Sequence, residues 1–418
     1  MDYTFTTLGA ILGLAIAIFL IIKKVHPAYS LMIGAFIGGL IGCHNVVVTV
    51  NTMVSGASDM MSSVLRILAS GILAGTLIKT GSAEKIAGVI VEKFGEKRAL
   101  AAISIATMLI CAVGVFIDIS VITVAPIALE IGKKVGYSKP SILLAMIGGG
   151  KAGNIISPNP NTIAVSEAFQ VDLTSLIIRN LIPALFALIV TIVLSNLLVK
   201  KKQMIREADL GVRETKELPS FLQAIIGPLS VVIILALRPL FSMVIDPLIA
   251  LPIGGFICSL SCGRIQQIRE QMEFGLGKVL GVSVLLIGTG TIAGIIKASA
   301  LQVDVIHLLE FLNMPSFILA PLSGILMAGA TASTTAGATI ASQTFASILT
   351  TQGIPPISGG AMVHAGATVI DSLPHGSFFH ATGGSVNMSI RERMQLIPYE
   401  ACIGLTSTIL SVILFLIF

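Results

Sequence analysis

Gly148 to Thr162 reads GGGKAGNIISPNPNT, and Gly366 to Ser377 reads GATVIDSLPHGS. Both stretches lie in apolar surroundings, and each mixes helix-breaking Gly and Pro with Asn, Ser, Asp, His or Lys. Irregular backbone at membrane depth survives only where protein buries it or where it lines a watery cavity, because lipid satisfies no N–H or C=O. Interrupted segments at corresponding places in two halves of a chain mark a binding site between them. The pair predicts a secondary active transporter whose two breaks face one solute.

Composition agrees with a membrane class. Of 418 residues, 55% are hydrophobic and 11% charged, and the mean hydropathy is +0.97; a soluble domain carries about 25% charge. The net charge of +5 does not imply a nucleic-acid partner, because the basic residues sit in short loops, where they set orientation. Leu8 to Ile22 is followed by Lys23 and Lys24 without a small-residue cleavage site, so no cleavable signal is expected. Cys43, Cys111, Cys258, Cys262 and Cys402 are scattered through apolar runs and read as packing residues.

Each span needs about 20 mostly apolar residues. Spans are expected over 5–22, 28–41 and 64–78, with a surface helix over 82–94. Lys23 and Lys24, and the cluster Lys79, Lys85, Lys93, Lys97 and Arg98, place the ends of the first and third spans in the cytoplasm and the N-terminus outside. The apolar run 99–131 is bracketed by Lys97 and Arg98 before and by Lys133, Lys134 and Lys139 after, so both ends lie on one side. Its 33 positions (131 − 99 + 1) fall short of the about 40 that two crossings need. A re-entrant hairpin follows, with its tip near Gly114, Phe116, Asp118 and Ser120 and with Pro126 kinking or starting the returning arm. Pro140 opens a span that breaks at 148–161 and exits near Asp172, and 176–199 crosses back.

The second half repeats this order. Segments 221–237, 248–260 and 279–296 cross, and 317–351 forms an outer hairpin tipped at 329–335. Pro356 opens a second broken span that ends inside at Arg391 and Arg393, and 396–418 crosses last, leaving the C-terminus outside. At an offset of 216, Pro140, Ala145, Met146, Gly150 and Pro158 meet Pro356, Ala361, Met362, Gly366 and Pro374, and Gly71-x-x-Ala74-Gly75 echoes Gly290-x-x-Ala293-Gly294. The expected fold class is an all-α polytopic membrane protein of two inverted repeats, each with about five crossings, one re-entrant hairpin and one broken helix. The first repeat covers 1–199 (scaffold 1–98, hairpin and broken helix 99–172), a cytoplasmic linker covers 200–220, and the second repeat covers 221–418 (hairpin and broken helix 316–390).

An ionisable side chain at membrane depth is a functional-site hypothesis by default. Asp118 and Asp371 are the acids best placed to carry a proton; the competing role is a helix cap or an ion pair. His364 and His375 are candidates for a proton relay or a hydrogen bond to the solute, with His364 assigned to proton coupling, since imidazole titrates near working pH. Lys151, alone in the first break, either faces helix N-termini and a carboxylate or snorkels to the membrane edge; Lys79 and Lys297, at span ends, snorkel. Ser120, Asn154, Ser157, Asn159, Asn161 and Thr162 on one side, and Thr331, Ser333, Thr334, Ser372, His375 and Ser377 on the other, supply hydrogen bonds for a hydroxylated or carboxylated solute. The alternative is that they satisfy freed backbone. His364, His375 and His380 lack zinc-ligand spacing, so no metal or cofactor is expected. With no phosphate loop, ATPase domain or hydrolase triad, energy must come from an ion gradient.

VFIDISVITVAP (Val115 to Pro126), SPNPN (Ser157 to Asn161), TASTTAGAT (Thr331 to Thr339) and DSLPHGSFF (Asp371 to Phe379) resemble the gluconate permease (GntP) family of the ion transporter superfamily, over nearly the whole chain. The resemblance implies proton-coupled uptake of gluconate or a related sugar acid across a bacterial inner membrane. It also implies an elevator-type homodimer, in which a transport domain carrying two hairpin tips moves against a scaffold. Phe116-Ile117-Asp118 matches the family's hairpin motif. Pro158 to Asn161 matches its Pro-His-Pro-Gly break, with Asn159 and Asn161 departing from it. A sodium-coupled di- or tricarboxylate symporter, and an intramembrane enzyme or channel, are the competing classes.

Overall fold

The structure, a computed structural model, describes residues 4–95, 98–199, 203–210, 217–241, 245–301, 303–304, 307, 311, 315–374 and 376–418. Among the described residues the regular structure is helical, with two isolated bridges, Phe5 to Ser299 and Ser138 to Met204. The all-α expectation holds.

One group of helices packs through bare backbone. It comprises α1 (Thr7–Ile22), α2 (Pro27–Cys43), α3 (Val46–Ser58), α4 (Met61–Lys79), α12 (Phe221–Phe241), α13 (Pro247–Ser261) and α14 (Ile268–Lys297). Lipid tails are as apolar as leucine, so helices in a membrane associate through close van der Waals approach over small residues. α4 lies antiparallel on α14 in this way. A Cβ at Gly275 would stand 1.9 Å from the Gly71 carbonyl oxygen, and one at Gly75 would stand 2.2 Å from that of Gln271. At the far end of α14, a Cβ at Gly290 would meet the Gly56 carbonyl oxygen at 2.5 Å. The repeated Gly-x-x-Ala-Gly letters are therefore two helix crossings. Gly275→Val forces that crossing apart and is expected to destabilise the fold by about 3 kcal/mol, the upper end for overpacking, read as a lower thermal midpoint in detergent.

The second group is built from hairpins and interrupted helices. α5 (Ser82–Phe94) is followed by the hairpin α6 (Ala99–Ala112) and α7 (Ile117–Val135). Next come α8 (Lys139–Asn154) and α9 (Pro160–Ala168), then α10 (Leu173–Arg179) and α11 (Leu181–Leu197). Later in the chain the order recurs: a hairpin of α15 (Leu319–Thr331) and α16 (Thr334–Thr351), then α17 (Pro356–Gly366) and α18 (Ser377–Ser385), then α19 (Ile390–Met394) and α20 (Ile397–Ile417). The hairpins turn through Gly114 at φ +108° and Ala332 at φ +46°. The first is a conformation that glycine adopts freely.

Several details differ from the sequence reading. The glycine run 148–150 does not break its helix: α8 continues to Asn154, and the interruption is 155–159. Those glycines are packing surfaces. A Cβ at Gly149 would lie 2.1 Å from the Ser104 carbonyl oxygen, and one at Gly153 would lie 2.3 Å from that of Met108, so α8 is seated directly on α6. Gly366 likewise closes α17 onto α15: a Cβ there would stand 2.4 Å from the Pro321 carbonyl oxygen. α3 falls where no helix was expected. The surface helix 82–94 buries one face, through Ala83, Ile86, Ala87 and Val91. Pro126 lies inside α7 rather than opening it.

Met61–Lys79, Ile265–Lys297 and Ile390–Ile417 are each long and apolar enough to cross a membrane, and α10 with α11, bent by 44°, makes a fourth. The other crossings expected from hydropathy fall on shorter apolar helices such as α1, α2 and α13.

Candidate functional site

Each interruption is closed by polar side chains that replace the missing helical hydrogen bonds. In the first, Asn159 caps α9: its Oδ1 accepts from the backbone N–H of Asn161 at 3.0 Å and of Thr162 at 3.2 Å. Its Nδ2 donates to Asn154 Oδ1 at 2.7 Å, as does Asn161 Nδ2 at 2.9 Å. Thr162 Oγ1 leans on Asn159 Oδ1 at 3.4 Å. SPNPN is thus an amide knot that ends α8 and starts α9, with Pro160 in the first helical position, where no N–H is needed. Ser157 donates to the Cys111 carbonyl at 2.6 Å, tying the break to the first hairpin. Two atoms of the knot keep no partner, Asn154 Nδ2 and Asn161 Oδ1.

The second interruption is organised by charge. Lys151 Nζ donates to Asp371 Oδ1 at 2.6 Å and to the Thr368 carbonyl at 2.5 Å. Thr334 donates to Asp371 Oδ2 at 2.5 Å, and Ser372 to Oδ1 at 3.1 Å. Lys151 and Asp371 are 2% and 1% exposed, so the lysine does not snorkel. Behind them Arg393 and Glu400, each 1% exposed, form a second buried ion pair. Arg393 also donates to Thr382 Oγ1 at 3.3 Å and stacks on Phe379 at 4.9 Å. Arg393 is therefore not a solvated loop charge: it is satisfied inside the protein.

Both hairpin tips and both breaks open onto one cavity of about 740 Å³. The first turns of α7, α9, α16 and α18 reach its wall through Asp118, Asn161, Thr334 and Ser377. Four helix N-termini, each with a partial positive charge, therefore converge on one space, although the first-turn N–H groups of α9 are already taken by Asn159. Of the expected site residues, Asp118, Asn154, Asn161, Thr331, Ser333, Thr334 and Ser377 line it. Lys151, Asn159, Thr162, Ser157, Asp371 and Ser372 stand behind the wall as its support. Ser120 is spent on the Phe116 carbonyl at 2.9 Å. His364 is fully buried away from the cavity, with both ring nitrogens unpartnered. His375 lies outside the described residues.

The opposite wall was not foreseen. It comes from the α1–α2 turn, with Lys24 and His26, and from the middle of α14, with Lys278, Gly281 and Leu285. Asp118 is the one carboxylate among the described lining residues; against it stand Lys24, Lys278 and the imidazoles of His26 and His380. The wall thus favours an anionic solute. Nothing lies within 4 Å of a Cβ placed on Gly281. Gly281→Leu is accordingly expected to fold normally while lowering uptake by about tenfold or more, the usual effect of filling a pocket, measured as Vmax/KM in vesicles.

The profile of the GntP family permease matches residues 5–417. The chain belongs to the GntP permease family. This permease is 52% identical over 415 residues to an uncharacterized transporter of Haemophilus influenzae, covering 99% of each chain. It is 22% identical over 352 residues to the D-serine transporter DsdX of Escherichia coli, covering 78% of the permease and 79% of DsdX. Its fold is similar to that of the YdaH transporter of Alcanivorax borkumensis, with a TM-score of 0.69 over 97% of both chains at 14% identity. The permease is a multi-pass membrane protein, and its relatives are transporters of gluconate-like or related sugar acids and amino acids.

Proposed function

We propose that this permease is a proton-coupled symporter of the bacterial inner membrane, importing gluconate or a related small hydroxylated carboxylate, and that it is not an enzyme. The observation that carries this is the cavity where four helix N-termini face Lys24 and Lys278. Such a space suits a carboxylate, and its Thr, Ser and Asn groups suit hydroxyls. Asp118, in the same wall, is the group assigned to the coupling proton. A tip of Val113, Gly114, Val115 and Phe116 offers sodium no side-chain oxygen, which disfavours the sodium-coupled alternative.

The same proposal includes two inverted repeats with re-entrant hairpins, working as an elevator in a homodimer. Paired features at the two ends of α4 and α14 support the inversion. Lys79, ending α4, pairs with Glu270 near the start of α14 at 2.8 Å. Lys297, ending α14, faces Asp59 just before α4 at 3.9 Å. A cleft runs between α4, α7, α14 and α18 at one end and between α4, α9, α14 and α16 at the other. A second substrate reading, a zwitterion such as the D-serine carried by DsdX, is favoured by Asp118 standing across from Lys278.

Counterflow in proteoliposomes over sugar acids, D-serine and dicarboxylates, with sodium and pH varied separately, tests the reading. Sugar-acid counterflow and accumulation driven by a pH gradient are expected. Accumulation driven by sodium at constant pH would remove the proton assignment.

A further inference from the structure

The polar groups of the cavity divide by origin. Asp118 and the four N-termini come from hairpins and breaks, whereas the fixed cations come from the α1–α2 turn and α14. Lys278 stands ten residues into α14 (278 − 268), about 15 Å along the helix at about 1.5 Å per residue. It is exposed, beside the bare backbone of Gly281. Its ammonium rests on the Phe274 ring at 5.1 Å, and it acts electrostatically on Asp118, on the other wall. Among the described residues no carboxylate forms an ion pair with Lys278. Several other lysines of this chain are paired: Lys79 with Glu270, Lys139 with Asp209, Lys151 with Asp371. An ammonium within a span that faces an open cavity without an ion-pair partner marks a pathway or a ligand.

We propose that Lys278 receives the solute's carboxylate and so makes the permease selective for acids over their uncharged analogues. This deepens the functional reading above and rests on it. The ammonium offers three donors and no acceptor, so it suits a carboxylate and gains little from a neutral amide. Charge-assisted hydrogen bonds are about twice as strong as neutral ones. The Asp118 carboxyl oxygens meet the solute's hydroxyl or ammonium hydrogens across the cavity. The open space over Gly281 is the room the solute's carboxylate end occupies. Lys278 therefore sets recognition, while the hairpins and breaks hold the rest of the solute.

The full-length permease in proteoliposomes tests this with gluconate and its uncharged isostere gluconamide. Wild type is expected to prefer gluconate by about 100-fold or more. Lys278→Gln is expected to raise the gluconate KM by about 100-fold, to shrink the preference below about fivefold, and to leave Vmax within about threefold; Lys278→Arg restores most of the preference. An unchanged preference in Lys278→Gln overturns the proposal. A second arm needs no variant. In the wild type, gluconate and not gluconamide is expected to slow acylation of Lys278 by an amine reagent, read by mass spectrometry, and equal protection by both overturns it. A wild type that carries D-serine and no sugar acid sinks the functional reading instead. The same two arms, run with D-serine and D-serinamide, then decide Lys278 alone.

Discussion

Asp118→Asn is expected to leave solute exchange between equal pools intact while abolishing concentration against a gradient. A one-proton symporter can concentrate its solute about tenfold per pH unit, since each unit stores about 1.4 kcal/mol per proton; in the variant that ratio falls to about one. The argument is positional. Asp118 lies in the first turn of α7, right behind the tip, and is half-buried on the cavity wall. The backbone N–H of Ile119 donates to it. Asparagine keeps the shape and an acceptor for that N–H, so the tip should hold its conformation, but an amide takes up no proton at working pH. Accumulation and exchange, measured on the same vesicles, separate coupling from binding. Full accumulation in Asp118→Asn would leave the coupling proton without its assigned carrier.

The helix–turn–helix at 99–131 was legible because basic residues bracket one apolar run with a glycine near its middle. The structure turns it at 113–116. SPNPN was legible as a break because Pro160 and Asn159 carry their capping chemistry in the letters. The glycine run before it was not, since Gly149 and Gly153 are defined by the α6 backbone beneath them. That partner lies elsewhere in the chain, and spacing does not reveal it. Lys151 had two local readings, ligand or snorkel, and the outcome was a third, an ion pair with a residue 220 positions away. Lys278 was lost for a different reason. Hydropathy and an ordinary span length start the crossing at residue 279, whereas α14 has 30 residues and carries its lysine into the cavity. A helix too long for its membrane is the signal that would have found it.

Lys151 and Asp371 are expected to behave as one unit. They join α8 to the second break, and through Thr334 the tip of the second hairpin depends on the same carboxylate. Removing one partner strands a buried charge, which typically costs about 3–5 kcal/mol, whereas replacing both by apolar groups of similar volume is often close to neutral. Lys151→Met and Asp371→Leu alone should each fall out of solution or lose most of the monodisperse peak in detergent. The double variant should recover much of the thermal midpoint. Losses that simply add would mean the two charges are not coupled, against the geometry. The recovered double variant then separates structure from mechanism. If it exchanges solute at wild-type rates, the pair holds the break and nothing more. Folded but inactive, it would assign to Asp371 a second task, releasing Thr334 so that the hairpin tip can open; Thr334→Val, which cuts that one hydrogen bond and moves no charge, should then raise the solute exit rate while Lys151 and Asp371 remain paired.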